Sequence, residues 1–335
     1  MAFSTSVTEK SEPSSRPQWS PLPVINPLRL AAIVVCSTAL LHAARVHITH
    51  EFTNTNAQSL IGLPVGSHKT IVDKDGNLHW SQWSLKHRPP DVTFGFSDQL
   101  DGALVIQTSV IVAGSPPAAL KTTSQSLYRG RYPFILTRSS AQHVEMEQLA
   151  FAAEAGKHNL DVVRIECTNA GSQPAAVNIQ LSGKWRNLPA YVDGNALVTR
   201  NGYVVVIAPD GPRFHATQHA LALGADWSIP AGSTQTLWLK LPYDFPLSNA
   251  SSIASYSGPD LLQAAEEAWD RIWNKGIQVS LPQKELEDFF YSSFAYVLIL
   301  TERDAAGDLW ILDGPAGYRP AWITCVPAAH VRKSY

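Results

Sequence analysis

Residues suited to contact a sugar gather in one loop near the C-terminus. The stretch from Asp308 to Trp322 reads D-L-W-I-L-D-G-P-A-G-Y-R-P-A-W, so aromatic rings stand beside acidic and basic groups. Sugars present C–H faces that pack on rings and hydroxyls that need hydrogen-bond donors and acceptors. The composition of this loop therefore indicates a surface that contacts carbohydrate.

Each candidate substrate-binding residue of this loop also has a structural interpretation. The rings of Trp310, Tyr318 and Trp322 either stack on a sugar or pack in the core against the preceding helix. Asp313 either binds a hydroxyl group or shapes the Asp-Gly-Pro turn. Arg319 either donates two hydrogen bonds to a ligand or forms a surface salt bridge.

Two helical patterns precede the loop. Ser257 and Asp260 give the capping signal of the first helix, Pro259 lies in its first turn, and Gly276 is the expected C′ residue. The second helix is predicted at about residues 283–302. It is apolar nearly all round beyond its first two turns, so it needs partners on several sides, and without them self-association or poor solubility is expected.

Before the helices, the chain shows short β patterns. Alternation with a period of two is typical of half-buried antiparallel strands. Asp75 and Gly76 predict a hairpin turn, and a calcium loop is disfavoured because the ligand positions do not match. The expected strands include residues 103–112, 144–153, 161–169, 177–181, 203–208 and 236–241. Many strands with polar outer faces and no intervening helices predict a large antiparallel β-sandwich.

Composition and spacing exclude several classes of function. The net charge of -2 provides no basic field for nucleic acid. Cys36, Cys167 and Cys325 are too widely separated for metal or redox spacing, and Cys167 fits a small buried residue within a strand. His47 and His50 do not follow the order of a zinc helix, and no glycine-rich run is suited to phosphate. We expect no metal and no cofactor.

The N-terminus is predicted to be a leader. Residues 1–27 are rich in Ser, Thr and Pro, which favours disorder. Residues 30–41 carry no charge and have the length of a signal-peptide core, which is too short to span a bilayer. We therefore expect export to the periplasm or beyond and no stable membrane span. The alternative is a buried element of a cytoplasmic protein.

The order of motifs resembles a glycosidase family. V-E-M-E-Q-L-A-F and D-V-V-R-I-E-C-T-N-A-G come first, then a helix with Trp269 and Trp273, then V-S-L-P, the long helix and G-P-A-G-Y-R-P-A-W. This order is similar to bacterial six-hairpin glycoside hydrolases, which are related to glucoamylases and α-L-rhamnosidases. The resemblance implies a mainly β fold with a supersandwich of the galactose-mutarotase type. The implied division is a leader (1–45), a sandwich (46–250), a linker helix (251–278) and the start of an (α/α) toroid (279–335).

The resemblance also implies hydrolysis of glycosidic bonds, with an oligosaccharide or glycoside as the partner. In the family, the residue equivalent to Trp322 is followed by x-R-D, whose Arg and Asp hold sugar hydroxyls. Here Ile323, Thr324 and Cys325 follow instead. The acid and base carboxylates are expected beyond Tyr335, so the sequence predicts a fragment that is inactive alone. The acidic residues 302–308 fit a solvated hairpin.

Two other functions stay open from the sequence. One is a non-catalytic sandwich that binds sugar or serves a structural role. The other is a mutarotase-like epimerase, because the sandwich type is shared. That activity requires a His and a carboxylate on one face of the sandwich, with His143, His158 and His215 as candidates.

Overall fold

A computed structural model describes most of the chain after residue 58. The described residues are 59–66, 69–80, 102–112, 115–183, 191–193, 196–198, 203–208, 215–216, 222–242, 245–246, 250–276, 278–303 and 309–311. The predicted leader, the signal-like segment, Cys36, Cys325 and the C-terminal tail lie outside these residues.

The first of two large antiparallel sheets has eight strands. Its strands are β1 (Ser59–Gly62), β2 (Lys69–Val72), β3 (Leu78–Trp80), β4 (Gly102–Val112), β5 (Ala118–Ala119), β10 (Ala175–Gly183), β14 (His215–Ala216) and β15 (Ala222–Ile229). Their order is β1-β2-β3-β4-β10-β15-β14, with β5 paired to β4. Asp75 and Gly76 form the turn between β2 and β3, and Gly76 has a φ of 84°, as the hairpin prediction requires.

The second sheet has nine strands. They are β6 (Lys121–Tyr128), β7 (Tyr132–Ala141), β8 (Val144–Ala155), β9 (His158–Asn169), β11 (Tyr191–Asp193), β12 (Ala196–Val198), β13 (Tyr203–Ile207), β16 (Thr234–Pro242) and β17 (Phe245–Pro246). Their order is β11-β12-β13-β16-β9-β8-β7-β6, with β17 beside β13. The long strands β7, β8 and β9 are joined by short hairpins, so their registers fix one another.

The main core lies between the two sheets. Alternate residues of the long strands point into it, which confirms the predicted antiparallel β-sandwich. Members from the two sheets include Val110, Val177, Ile179, Ile135, Val163, Ile165 and Leu239. Cys167 belongs to this core, as predicted, and burial raises the pKa of its thiol to about 12.

Three helices and a small hairpin follow the sandwich strands. They are α1 (Ala250–Ala254), α2 (Gly258–Lys275), α3 (Lys284–Leu300) and the antiparallel pair β18 (Thr301–Arg303) and β19 (Leu309–Ile311). The hairpin predicted for the acidic residues is therefore present. None of the helices in the described part of the chain combines the length and apolar character needed to cross a bilayer.

The predicted helix ends are partly correct. The Ser257 side chain accepts a hydrogen bond from the Asp260 N–H at 3.2 Å, which confirms the N-cap. Gly276 follows the last residue of α2, but its φ of -87° lies outside the left-handed region. The second helix ends at Leu300 and not at residue 302, because the Thr301 hydroxyl donates to the Val297 carbonyl and the chain then turns into β18.

The outer face of the nine-stranded sheet corrects one expectation. The sequence predicts polar outer faces throughout, yet five consecutive residues of β8, from Leu149 to Ala153, are all buried. A strand that is buried on both faces loses its alternation. The helices cover this half of the sheet, and Phe134 and Phe151 pack there with Trp269 and Trp273 of α2.

A buried lysine fixes the start of the helical layer. Lys240 of β16 is fully buried, and its Nζ donates to the carbonyls of Ile253, Ala254 and Tyr256. Two of these carbonyls lie in the last turn of α1, and the third lies between α1 and α2. Carbonyls at the C-terminal end of a helix lack backbone partners, so a cationic donor is well suited to bind them. One side chain thereby connects the sheet to α1 and to the segment that leads into α2.

A close approach of α2 to the sheet requires glycine at position 258. A Cβ built on Gly258 would lie 2.0 Å from the Trp238 ring, while one on Gly276 would have nothing nearer than 3.5 Å. We expect Gly258→Ala to lower the free energy of unfolding by about 1–3 kcal/mol through overpacking. The matched variant Gly276→Ala is expected to leave it unchanged. Urea unfolding of both variants checks this, and equal stabilities would contradict the packing of α2.

Candidate functional site

The structure reaches only part of the predicted sugar-contacting loop. The backbone of Trp310 lies in β19, directly opposite Glu302 of β18. The Trp310 side chain, Asp313, Tyr318, Arg319 and Trp322 lie outside the description, so their roles stay predictions. The described residues show the elements that precede the loop, because β18 begins directly after α3 and pairs with β19.

A cluster of aromatic rings around a cation joins α2 and α3 to the sandwich. The guanidinium carbon of Arg131 lies 4.9 Å from the ring centroid of Trp273, 5.5 Å from that of Tyr132 and 5.8 Å from that of Tyr291. These residues come from the β6–β7 hairpin, α2 and α3, and we call them the aromatic joint. Each cation–ring contact of this kind contributes about 0.5–1 kcal/mol at a partly exposed site.

Asp270 of α2 completes the aromatic joint. Its Oδ1 accepts a hydrogen bond from the Tyr132 hydroxyl at 2.9 Å and lies 3.5 Å from the Arg131 guanidinium. Burial raises the pKa of Tyr132, and the nearby Asp270 raises it further, so the phenol stays a donor. Tyr291 of α3 also exchanges hydrogen bonds with the backbone of Val279. The direction in which α3 leaves the sandwich is thus fixed by directional contacts.

A second surface with polar chemistry is the part of the nine-stranded sheet that the helices leave uncovered. One row of cross-strand neighbours runs over five strands and consists of Ser124, Arg138, Glu147, Glu166 and Thr236. All five are at least partly exposed. Hydroxyls, carboxylates and guanidinium groups on a flat face are able to bind sugar hydroxyls. A solvated sheet face has the same composition, so the row by itself does not assign a function.

Arg164 lies at the border between this polar row and the helices. Glu147 accepts a hydrogen bond from Arg138 Nε at 2.8 Å and lies 3.7 Å from Arg164 Nη2. Within the described part of the chain, the buried Nε of Arg164 has no hydrogen-bond partner. Its strand neighbour Trp238 is almost fully buried beneath Gly258. This donor is enclosed by the protein and is not open to the polar surface.

A polar network at the β2–β3 turn was missed by sequence reasoning. The Asp73 carboxylate accepts hydrogen bonds from the backbone N–H groups of Asp75 and Asn77, and its Oδ2 lies 3.0 Å from His79 Nε2. Gln125 of the facing sheet donates to the Asp73 carbonyl at 2.7 Å. The detectable signal was the tight turn, because it brings Asp73 and His79 together.

The three histidines proposed as candidates for epimerase chemistry lie at separate places in the sandwich. His143 lies in the hairpin before β8, and His158 follows the hairpin after it. The twelve residues of β8 separate them by about 40 Å along the strand. His215 lies in β14 of the other sheet, and its side chain is outside the description. His79 does lie beside a carboxylate, that of Asp73, but this pair stabilises the β2–β3 turn.

Comparisons with known proteins give structural neighbours only. No family model and no curated protein matches the sequence. The chain is similar to a bacterial glucoamylase complexed with acarbose, with a TM-score of 0.46 and 10% identity over 75% of this chain and 44% of that one. It is also similar to a polysaccharide lyase, with a TM-score of 0.29 and 12% identity over 63% of this chain and 34% of that one.

A third neighbour is a family GH92 α-mannosidase from Bacteroides thetaiotaomicron. The TM-score is 0.30 with 10% identity, and the match covers 76% of this chain and 40% of the mannosidase. The chain therefore spans less than half the length of each of these three structures. All three of these neighbours are carbohydrate-active enzymes.

The Asp73 network predicts a pH dependence of stability. Burial raises the pKa of Asp73, but the hydrogen bonds from His79, Asn77 and Asp75 outweigh it and hold the pKa below its usual value. A carboxylate whose pKa is lower in the folded state than in the unfolded state stabilises the protein at pH values above its unfolded pKa, near 3.9. This stabilisation is lost as the pH falls through the folded-state pKa. We expect Asp73→Asn to cost about 1–3 kcal/mol at neutral pH and progressively less below about pH 4.

Urea unfolding of both proteins between pH 3 and pH 7 measures this difference. Asp75→Asn serves as the control, because the Asp75 carboxylate is half exposed and lies outside the network. If Asp73→Asn lowered the free energy of unfolding by the same amount at every pH, a stabilising role for the Asp73 charge would be contradicted.

Proposed function

We propose that this chain is the N-terminal part of a carbohydrate-active enzyme that hydrolyses glycosidic bonds. In this proposal the sandwich is a rigid base, α2 is the linker helix and α3 begins an (α/α) toroid. The division into residues 1–45, 46–250, 251–278 and 279–335 is part of the same proposal. The ligand is an oligosaccharide or glycoside, and Trp310, Asp313, Tyr318, Arg319 and Trp322 are the residues that would contact it.

The observation that carries this proposal is the aromatic joint between the sandwich and the two helices. The aromatic joint orients α2 and α3 relative to the sheet. The β18–β19 hairpin follows α3, and the loop rich in Trp, Tyr, Asp and Arg follows β19 in the sequence. The order of the chain, in which these residues follow β19, supports a sugar-contacting loop carried by this hairpin. A ligand site requires such support, because loosely held groups lose much of their binding free energy.

We further propose that the chain alone binds sugar without cutting it. Hydrolysis usually needs two carboxylates about 5–10 Å apart on either side of the scissile bond. In the resembled family an Arg and an Asp follow the residue equivalent to Trp322, and here Thr324 and Cys325 occupy those places. The groups that would hold the sugar for cleavage are therefore altered.

Calorimetric titration with oligosaccharides, combined with release of nitrophenol from aryl glycosides, tests both statements. We expect saturable binding and no turnover above buffer. Arg319→Ala is expected to weaken binding on the order of tenfold or more, because a charged hydrogen bond contributes about 1.5–3 kcal/mol. The control Glu267→Gln changes an exposed residue of α2 and is expected to bind normally. Turnover would contradict the inactive chain, and absence of any binding would contradict the sugar-directed function.

The second candidate function is a non-catalytic sandwich that binds sugar on its uncovered sheet face. The row of polar side chains through Arg138 and Glu147 supports it. The same titration separates the two candidates. If Glu147→Gln and Arg164→Met weaken binding while Arg319→Ala does not, the sheet face is the site. The mutarotase-like alternative stays open, and faster interconversion of the anomers of a free sugar would distinguish it.

Export from the cytoplasm is also part of the proposal, with a cytoplasmic location as the alternative. It rests on the uncharged segment of residues 30–41. We expect the mature protein to lack this segment and to be recovered outside the cytoplasm. Mass spectrometry of the N-terminus measures this, and a cytoplasmic protein with an intact Met1 would remove the claim.

A further inference from the structure

The turn between β1 and β2 holds a valine in a backbone conformation that valine rarely adopts. Gly66 donates its backbone N–H to the Leu63 carbonyl at 3.1 Å, so residues 63–66 form a β-turn, which we call the 63–66 turn. Val65, the third residue of this turn, has a φ of 58°. A positive φ is strained in a β-branched residue, because its Cβ crowds the backbone.

The sequence of the 63–66 turn identifies its type and its relaxed alternative. The proline ring fixes a negative φ at Pro64, so the positive φ of Val65 makes this a type II turn. Type II turns favour Gly or Asn at the third position, but the glycine of this turn, Gly66, comes one residue later. A type I turn accepts the same proline and has a negative φ at its third residue, which valine adopts without strain. The local sequence therefore favours a turn that the fold does not contain.

A contact with α3 accounts for the strained form. The Val65 N–H donates to the Leu298 carbonyl at 2.9 Å, and Leu298 lies in the last turn of α3. Type I and type II turns differ in the two dihedral angles that flank the peptide between their second and third residues, so one form converts to the other by a flip of this peptide. The strained turn directs the Val65 N–H to α3, and the relaxed turn directs it away.

Both sides of this contact are held in place. All four residues of β1 and all four of β2 are buried, and Lys69 donates from its Nζ to the Gly66 carbonyl at 2.9 Å. On the helix, the Thr301 N–H also donates to the Leu298 carbonyl. A flip of the Pro64–Val65 peptide therefore breaks one hydrogen bond to α3 while the strands keep their pairing.

The energies of the two forms are closely balanced. The strained form gains one hydrogen bond to a helix carbonyl, and it loses the preferred backbone conformation of one residue. The net contribution of a hydrogen bond and the strain of a single left-handed residue are comparable in size, so neither term dominates. A contact that favours one form of a balanced pair shifts the populations of both.

We propose that the Pro64–Val65 peptide is a two-position element that couples the edge strand β1 to the end of α3. In the first position its N–H binds the Leu298 carbonyl and restrains the last turn of α3, where β18 begins. In the second position the turn relaxes to type I, and this restraint is lost. A molecule that binds at the end of α3 and favours one position thereby changes the conformation of the 63–66 turn. The coupling does not depend on the proposed function, because it follows from the turn and the helix alone.

Amide hydrogen exchange measured by NMR on the full chain tests the two positions. Val65→Gly and Val65→Asn keep the N–H and remove most of the strain, so they favour the position bound to α3. We expect the amide of residue 65 to exchange on the order of tenfold more slowly in these variants. Val65→Pro removes the donor, so we expect the amides of residues 298–301 to exchange on the order of tenfold faster.

The matched control is Gln142→Gly. Gln142 has a φ of 53° in the hairpin between β7 and β8, so this change relieves similar strain away from α3, and we expect it to leave the exchange at residue 65 unchanged. Circular dichroism verifies that each variant is folded. Unchanged exchange at residue 65 in both Val65→Gly and Val65→Asn would mean that the turn has a single position. An equal change in Gln142→Gly would mean a general effect on stability. Either result overturns the proposal, and neither bears on the sugar-binding test, because no sugar is present.

Discussion

The structure depends on a sheet that is apolar on both faces over part of its area. In β7, β8 and β9 the inner residues fill the core between the sheets, and the outer residues Phe134, Phe151 and Leu160 are also almost fully buried. An outer face of this kind is not stable in water. Full burial of each large apolar side chain contributes about 1.5–3 kcal/mol, so the covering helices belong to the same folding unit as the sandwich.

Helix α2 meets this constraint with two tryptophans one turn apart. Trp269 and Trp273 are nearly fully buried, and their rings contact Tyr132 and Phe134 or each other. Polar contacts then select one orientation among the many that apolar burial alone permits. Lys240 holds the start of the helical layer, and Asp270 with Arg131 holds its middle. Hydrophobic burial is non-directional, so these polar contacts orient α1 and α2, and the contacts of Tyr291 with Arg131 and with the Val279 backbone orient α3.

Sequence reasoning was successful where one physical rule dominates. Strand β10 and residues 163–169 of β9 have one face in the core, and their alternation with a period of two predicted them. The Ser257 cap and the turn at Gly76 were predicted because each has a specific local chemistry. The covered half of the sheet was not predicted, since Leu149 to Ala153 are consecutive buried residues without a period. Partners distant in sequence decide such cases, as Trp269 and Trp273 do for Phe134 and Phe151.

The predicted site illustrates a different limit. Composition alone identified the loop from Trp310 to Trp322 as compatible with sugar, but it did not decide between a ligand and the core as the partner of each ring. That choice depends on how much apolar surface the neighbouring helix leaves uncovered, which is a property of the folded chain. The exposed Phe289 and Val297 show that α3 has surface to offer. The sequence alone therefore leaves both partners open for each ring.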